Sequence, residues 1–250
     1  MKININKLPI YMISGYKSNR ILNKKHTFKD KWRKRIYSNE YERIGVTDNV
    51  TEFPGIFDRH IGCSQYGLTV ANSKIWEDII INNIPYAMVN EDDVLFHDDI
   101  KALWGRYMQH VEKGFLYINV GGSLRAGRNT EIVNSIKNKI VHNEPTWCMH
   151  AYVISYHGAM SLLQYFYSIR NMPIFNKLKH GRELKSDICW KQWYDRLSTE
   201  NKLKTYSFSS TESLPAKWNG YSWYDEHYNL NHVLQDSHPE TDLEHLQFCP

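Results

Sequence analysis

The 250-residue chain contains no run of about 18 apolar residues, the length that a membrane-spanning helix requires. Its opening segment, MKININKLPIYMIS, is interrupted by polar side chains and has no small-residue cleavage site, so we expect a first core strand there and not a signal peptide. The four cysteines are widely spaced and form no C-x-x-C pair, which argues against a zinc site or a disulfide framework. We therefore expect reduced thiols in a cytoplasmic protein.

Two common phosphate-binding motifs are also missing. The chain has neither the G-x-G-x-x-G fingerprint of dinucleotide-binding folds nor the G-x-x-x-x-G-K of the P-loop. It has no internal repeats and no low-complexity linker. Hydrophobic residues make up 42% and charged residues 23%, the composition of a folded globular chain.

Predicted strands and helices alternate along most of the chain. An apolar strand ends at Ser14, helical spacing of apolar residues runs from Leu68 to Ile81, and the short strand YAMV follows. Further strands are predicted at 115–122, 146–155 and 205–210, and helices begin at Gly158 and Asp187. The alternation predicts an α/β fold, a mostly parallel sheet flanked by helices. Residues 1–205 would form the catalytic domain, and residues 206–250 an aromatic- and histidine-rich extension packed on it.

Positive charge is concentrated in one window of the chain. The net charge is +4, but residues 17–35 hold nine lysines and arginines against one acid, so this window carries +8 and the remainder −4. Such a cluster attracts phosphate groups, and Arg20 and Lys24 are candidates to contact a diphosphate. The alternative interpretation is a solvated, basic helix face.

Three adjacent carboxylates, Glu91, Asp92 and Asp93, follow the strand YAMV. Either solvent or a bound cation can offset the repulsion between them. Carboxylates are hard ligands that suit Mg²⁺ or Mn²⁺, which usually bind one or two acids together with substrate phosphates. The pattern predicts a metal–diphosphate site in which Asp93 and Asp92 bind the metal and Glu91 contributes to donor binding.

Three blocks of sequence carry a family resemblance. They are IGCSQYGLTVANSKIWEDII from Ile61, YAMVNEDDVLF from Tyr86 and HAYVISYHGAMSLL from His150. In this order they resemble glycosyltransferase family 25, which includes bacterial lipooligosaccharide and lipopolysaccharide transferases and relatives that glycosylate collagen. The sequence departs from the family at Tyr66-Gly67, where members usually have Ser-His, and at Asp187, which lacks the preceding proline of the family's P-x-D.

The resemblance implies a GT-A fold, a nucleotide-sugar donor that is commonly UDP-linked, a divalent cation such as Mn²⁺ or Mg²⁺, and inversion at the anomeric carbon. An inverting enzyme needs a base for the acceptor hydroxyl, and Asp187 is the candidate. Its alternative role is an acid at a helix N-terminus. His150, in the third block, is a candidate for donor binding, or else a buried, hydrogen-bonded histidine. His227 and His232 are weaker candidates for the metal.

Two acceptors and one non-enzymatic function remain open at this point. The acceptor could be a glycan or lipooligosaccharide, or hydroxymethylpyrimidine in duplex DNA, since the basic window 17–35 would supply phosphate contacts. The alternative from another class is a non-catalytic nucleic-acid-binding protein, which would use the basic window and the aromatic C-terminal segment.

Overall fold

A computed structural model describes eleven parts of the chain. They are residues 3–14, 32–37, 63–91, 94–96, 100–120, 141–142, 149, 151–170, 193–197, 204–208 and 233–235. The strands are β1 (Ile10–Ser14), β2 (Trp32–Tyr37), β3 (Tyr86–Glu91), β4 (Val94–Phe96), β5 (Tyr117–Asn119), β6 (Val141–His142), β7 (Ala151–Ser155), β8 (Thr205–Phe208) and β9 (Val233–Gln235). The helices are α1 (Cys63–Ile81), α2 (Ile100–Tyr107) and α3 (Tyr156–Arg170), with 3₁₀ turns at Ile5–Lys7 and Met108–His110 and a helical segment at 193–197.

Seven strands form one sheet in the order β2-β1-β3-β7-β5-β8-β6, and β4 and β9 form a separate pair. The α/β class is confirmed, but the sheet is mixed and not mostly parallel. Pairs β1/β2, β1/β3 and β5/β8 are parallel, whereas β3/β7, β5/β7 and β6/β8 are antiparallel. The prediction failed because alternating strands and helices do not fix strand direction, and β7 inserts between β3 and β5 in the opposite direction.

The central strands are buried on both faces, which explains their nearly continuous apolar sequences. The first face of the sheet, with Tyr11, Val89 and Ile154, packs against α1 and α3. The second face, with Met88 and Val153, packs against residues of α2 and the segment that leads into β5. Within the described ranges, no helix is both long and apolar enough to span a membrane.

Helix α1 ends where the sequence predicts, at Ile81, and turns the chain directly into β3. Asn83 takes a left-handed backbone conformation with φ of 50°. The Ile84 amide donates to the Ile79 carbonyl at 2.9 Å and the Asn83 amide to the Ile80 carbonyl at 3.1 Å. This is the Schellman pattern of a helix C-terminus, with asparagine at the position that glycine usually takes. The tight turn makes α1 antiparallel to β3.

Strands β2 and β8 bear on two of the sequence-based predictions. Residues 32–35 of the basic window lie in strand β2 at the sheet edge, so this part of the window is a strand and not the helix face of the alternative interpretation. Strand β8 begins at Thr205 and ends at Phe208, so it crosses the boundary that we placed after residue 205. Strand β9 pairs with β4, but the division into a catalytic domain and an extension stays a prediction.

Gly158, the third residue of α3, lies so close to the backbone just before β5 that a side chain would not fit there. A Cβ placed on Gly158 would lie 1.9 Å from the Leu116 carbonyl oxygen. The Gly158 amide donates to Ser155 Oγ at 3.0 Å, and Ser155 Oγ donates to the same carbonyl at 3.3 Å. The start of α3 is therefore fixed on the strand by a close backbone contact.

We expect Gly158→Ala to lower the free energy of unfolding by about 3 kcal/mol, because the helix must move off the strand. Gly105→Ala is the matched control, since a Cβ there meets no atom within 4 Å and alanine favours the helix by about 1 kcal/mol. Urea unfolding of both variants measures the difference. Equal stability of the two variants would contradict the close contact.

Candidate functional site

The carboxyl ends of β1, β3, β5 and β8 lie along one edge of the sheet, here called the carboxyl edge. Strand β1 runs parallel to β3, and β5 runs parallel to β8. Because β7 pairs antiparallel with both β3 and β5, these two strands share a direction. Ligands of open α/β sheets bind outside the carboxyl ends of the strands. The carboxyl edge is therefore the expected position of a ligand-binding site.

Polar side chains end the strands at this edge although the strands themselves are apolar. One partly exposed carboxylate, Glu91, ends β3. Buried polar side chains occupy the last or next-to-last position of four strands: Ser14, Asn90, Asn119 and Ser207. Sequence analysis did not single out these four residues. A polar residue at the end of an otherwise apolar strand was the pattern that could have identified them.

The three acids begin inside β3 and continue into the connection to β4. Glu91 is the last residue of the strand and pairs in register with Ile13 of β1. β4 begins at Val94, which is buried in the core of the second face. Asp92 and Asp93 occupy the two positions between these strands and lie outside the described residues. Glu91 therefore lies at the carboxyl edge, and in the sequence Asp92 and Asp93 separate it from β4.

A buried hydrogen-bond network lies on the same face of the sheet as Glu91. Tyr152 of β7 donates to Asn72 Oδ1 of α1 at 2.7 Å, and Trp76 Nε1 donates to the Tyr152 hydroxyl at 3.0 Å. Asn72 Nδ2 in turn donates to the Leu68 carbonyl at 2.9 Å. The network ties α1 to β7, the strand beside β3.

Burial and the negative charge of Glu91 keep the Tyr152 hydroxyl neutral next to the acidic strand end. Burial raises the pKa of Tyr152 strongly, and the nearby negative charge of Glu91 raises it further, although the hydrogen bond from Trp76 acts in the opposite direction. A neutral hydroxyl donates to Asn72 and accepts from Trp76 at the same time. The side of β3 that carries Glu91 is therefore supported by fixed, paired polar groups.

Of the predicted site residues, only Glu91 falls within the described part of the chain. The others lie outside it: Arg20, Lys24, Asp92, Asp93, His150, Asp187, His227 and His232. His150 immediately precedes Ala151, the residue of β7 that pairs with Asn90. The described residues alone include no group of three acids, histidines or cysteines that could hold a metal ion. The assignment of individual ligands therefore stays a prediction.

Residues of the basic window contact the fold at its edge strand. Lys34 Nζ lies 3.2 Å from Asp78 Oδ1, and Arg33 Nε lies 3.5 Å from Asp78 Oδ2. Tyr11 donates to Asp78 Oδ2 at 2.6 Å and accepts from Arg33 at 3.2 Å. Burial acts to raise the pKa of Asp78, but the hydrogen bonds from Tyr11 and Lys34 and the two positive charges lower it below its usual value. These two basic residues thus attach β2 to α1.

A cavity of about 460 Å³ opens at the opposite edge of the sheet. It lies beside Tyr86, at the start of β3, and beside Ser155, at the end of β7. Five residue steps of about 3.3 Å separate Tyr86 from Glu91, so the cavity lies about 17 Å from the acidic strand end. The acids and the cavity are therefore two separate places on the molecule.

Comparison with known proteins confirms the family resemblance. The model of glycosyltransferase family 25 (LPS biosynthesis protein) matches residues 58–178, a segment that contains all three sequence blocks. The matched segment identifies the chain as a glycosyltransferase. No curated protein matches it in sequence.

Among solved structures, the apo form of mouse xyloside xylosyltransferase 1 is similar with a TM-score of 0.42 and 10% identity, over 92% of this chain and 86% of that one. A TM-score below 0.5 does not by itself establish a shared fold.

Replacing Tyr152 by phenylalanine tests the buried network. We expect the free energy of unfolding to fall by about 2 kcal/mol, because Asn72 Oδ1 and Trp76 Nε1 lose their partner away from water. Tyr167→Phe is the control: the Tyr167 hydroxyl bonds to Glu77 on a part-exposed helix surface, where water can replace it. Chemical denaturation measures both variants, and an equal loss in the two would argue against the network.

The lowered pKa of Asp78 predicts a pH-dependent loss of stability. Its contribution is fully present above the pKa of an unfolded aspartate, about 4, and disappears as the pH falls through the lower pKa of the folded state. Asp78→Asn should therefore cost about 2 kcal/mol at pH 7, and the difference from the wild type should shrink below about pH 4. A difference that is constant between pH 7 and pH 2 would rule out the ionised contact.

Proposed function

We propose that this chain, with its family 25 segment at residues 58–178, is a metal-dependent, inverting glycosyltransferase that transfers a sugar from a nucleotide-sugar donor to a hydroxyl group of a glycan. One observation carries the proposal: the acidic segment 91–93 begins at the last residue of β3, which lies at the carboxyl edge and inside the matched segment. That is where an α/β sheet binds ligands.

The three carboxylates of the acidic segment fit a divalent cation bound to a diphosphate. Carboxylate oxygens are the ligands that Mg²⁺ and Mn²⁺ prefer, and both ions commonly use one or two acids and complete their shell with phosphate and water. Asp93 and Asp92 would hold the ion, and Glu91, at the end of β3, would accept a hydrogen bond from the donor. When bound, the ion would offset the charge that develops on the leaving nucleoside diphosphate.

Other predicted residues fit the donor side of this arrangement. The parallel strands β1 and β3 end beside each other, and the chain that leaves β1 after Ser14 contains Arg20 and Lys24. Cationic side chains there would reach the diphosphate by charge attraction. His150 precedes β7 at the same edge and would contact the donor as well. A UDP-linked sugar is the donor that the family resemblance favours.

The reaction would be a single displacement at the anomeric carbon. The acceptor oxygen forms a bond to that carbon while the bond to the diphosphate oxygen breaks, and the acceptor proton passes to the carboxylate of Asp187. The segment after Asp187 is attached to the core, since Trp193 is buried and its Nε1 donates to Ser161 Oγ of α3 at 2.8 Å. This attachment would limit the movement of the base.

The contacts of the basic window favour a glycan acceptor over duplex DNA. Arg33 and Lys34 both contact Asp78, so the window offers less positive charge to a phosphate backbone than its formal +8. A DNA acceptor would require strong salt dependence of binding. An assay with hydroxymethylated duplex DNA as the acceptor tests this alternative.

The proposal predicts release of nucleoside diphosphate from a nucleotide sugar only when Mn²⁺ or Mg²⁺ is present. A panel of UDP-sugars is incubated with lipooligosaccharide, or with hydroxymethylated DNA, and released UDP is measured. EDTA and Asp93→Ala should each lower the rate by about 100-fold or more, because the charge on the leaving group is no longer offset. Added Mn²⁺ should restore the chelated wild type but not the variant.

Glu112→Gln is the control, because Glu112 is an exposed acid near the amino end of β5, at the opposite edge of the sheet. Its rate should equal that of the wild type. Full activity of the wild type in EDTA would refute metal dependence, and full activity of Asp93→Ala would refute the assigned ligand.

A further inference from the structure

Asn90, the residue before the acids, is the unexplained polar group of the carboxyl edge. Its side chain is fully buried, and among the residues that the structure describes neither its Nδ2 nor its Oδ1 has a hydrogen-bond partner. Burial of an amide without partners is costly, and buried side-chain amides are nearly always paired. A buried amide that no described residue pairs, at the end of a central strand and at the ligand edge of the sheet, points to a bound ligand as its partner.

The residues that pair with Asn90 in the sheet offer its side chain no strong hydrogen-bond donor or acceptor. Its register partners are Met12 on β1 and Ala151 on β7, and neither side chain carries a strong donor or acceptor. Side chains alternate along a strand, so Asn90 faces the same side as Met88, whereas Glu91 faces the side of Tyr152. The end of β3 therefore presents an amide on one face and a carboxylate on the other.

The kind of ligand follows from the hydrogen-bonding capacity of the amide. A phosphate accepts hydrogen bonds and would satisfy only Nδ2, while a cation would satisfy only Oδ1. Two neighbouring hydroxyl groups can accept from Nδ2 and donate to Oδ1 at once. A phosphate or a cation therefore satisfies one atom of Asn90, whereas a pair of hydroxyls satisfies both.

We propose that Asn90 binds a vicinal pair of hydroxyl groups of the sugar nucleotide, on the ribose or on the transferred sugar. The inference rests on the proposed function and assigns a further binding residue to the same site. The donor then contacts both faces of the end of β3, with Glu91 on one face and Asn90 on the other. Because the amide is fully covered, the atoms above it give way when the ligand enters.

The test is Asn90→Leu, which replaces the amide by an apolar group of similar size. Calorimetry with Mn²⁺ compares UDP, 2′,3′-dideoxy-UDP and UDP-glucose or UDP-galactose. We expect the affinity for the UDP-sugar to fall roughly tenfold, as for the loss of one or two hydrogen bonds, while thermal stability is unchanged or higher because no polar group is left unpaired. Asn90→Ser replaces the leucine variant if that variant does not fold.

Asn72→Leu is the matched control for stability. Asn72 is also a buried asparagine, but it bonds to Tyr152 and to the Leu68 carbonyl, so its replacement should lower the melting temperature. A drop in melting temperature for Asn90→Leu as large as for Asn72→Leu would assign Asn90 a structural role and overturn the inference.

The ligands separate the two sources of the hydroxyl pair. If Asn90 binds the ribose, UDP loses affinity as the UDP-sugar does, and dideoxy-UDP binds the wild type and the variant equally. If it binds the transferred sugar, only the UDP-sugar loses affinity. Unchanged affinity of the variant for every ligand, with normal binding by the wild type, overturns the inference alone. A wild type that binds no UDP-sugar overturns the proposed function as well.

Discussion

The direction of β3 between β1 and β7 is the constraint on which the rest of the structure depends. Because β3 runs parallel to β1 and antiparallel to β7, its last residues lie beside the end of one neighbour and the start of the other. The strand is apolar and buried up to Val89, then polar at Asn90 and Glu91. Because the rest of the strand is buried on both faces, its polar side chains lie at its carboxyl end. The strand is therefore both a part of the core and the support of the acids.

The two faces of this strand end differ in how their polar groups are satisfied. On the first face, the side chains of Tyr152, Asn72 and Trp76 hydrogen-bond to one another in the interior. These polar groups therefore require no ligand as a partner. On the second face, Asn90 is buried and no residue of the described ranges pairs with its side chain. A paired network fixes α1 and β7 in place, whereas an unpaired amide favours binding of a group that completes it. The proposed donor site combines a rigid support with an unsatisfied binding group.

The sequence predicted the parts of the fold that depend on local patterns. Apolar periodicity located α1, β1 and β3, and the three ordered blocks led to the family that the model match confirms. Strand direction was not predictable, because the antiparallel course of β7 depends on long-range pairing. The basic residues Arg33 and Lys34 lie on a strand, which the charge count of the basic window could not predict because their contact with Asp78 is long-range. Asn90 was not predicted as a site residue, because its burial depends on neighbours from β1 and β7.

The most direct test of the acidic carboxyl edge as the metal–donor site is a crystal structure with Mn²⁺ and UDP, in which anomalous scattering locates the manganese. The account predicts one manganese peak within coordination distance of Asp92 or Asp93, with the diphosphate bound to it and the uridine at the ends of β1 and β3. A manganese–UDP complex at the cavity beside Tyr86, about 17 Å away by strand rise, with no metal at the acids, would contradict it.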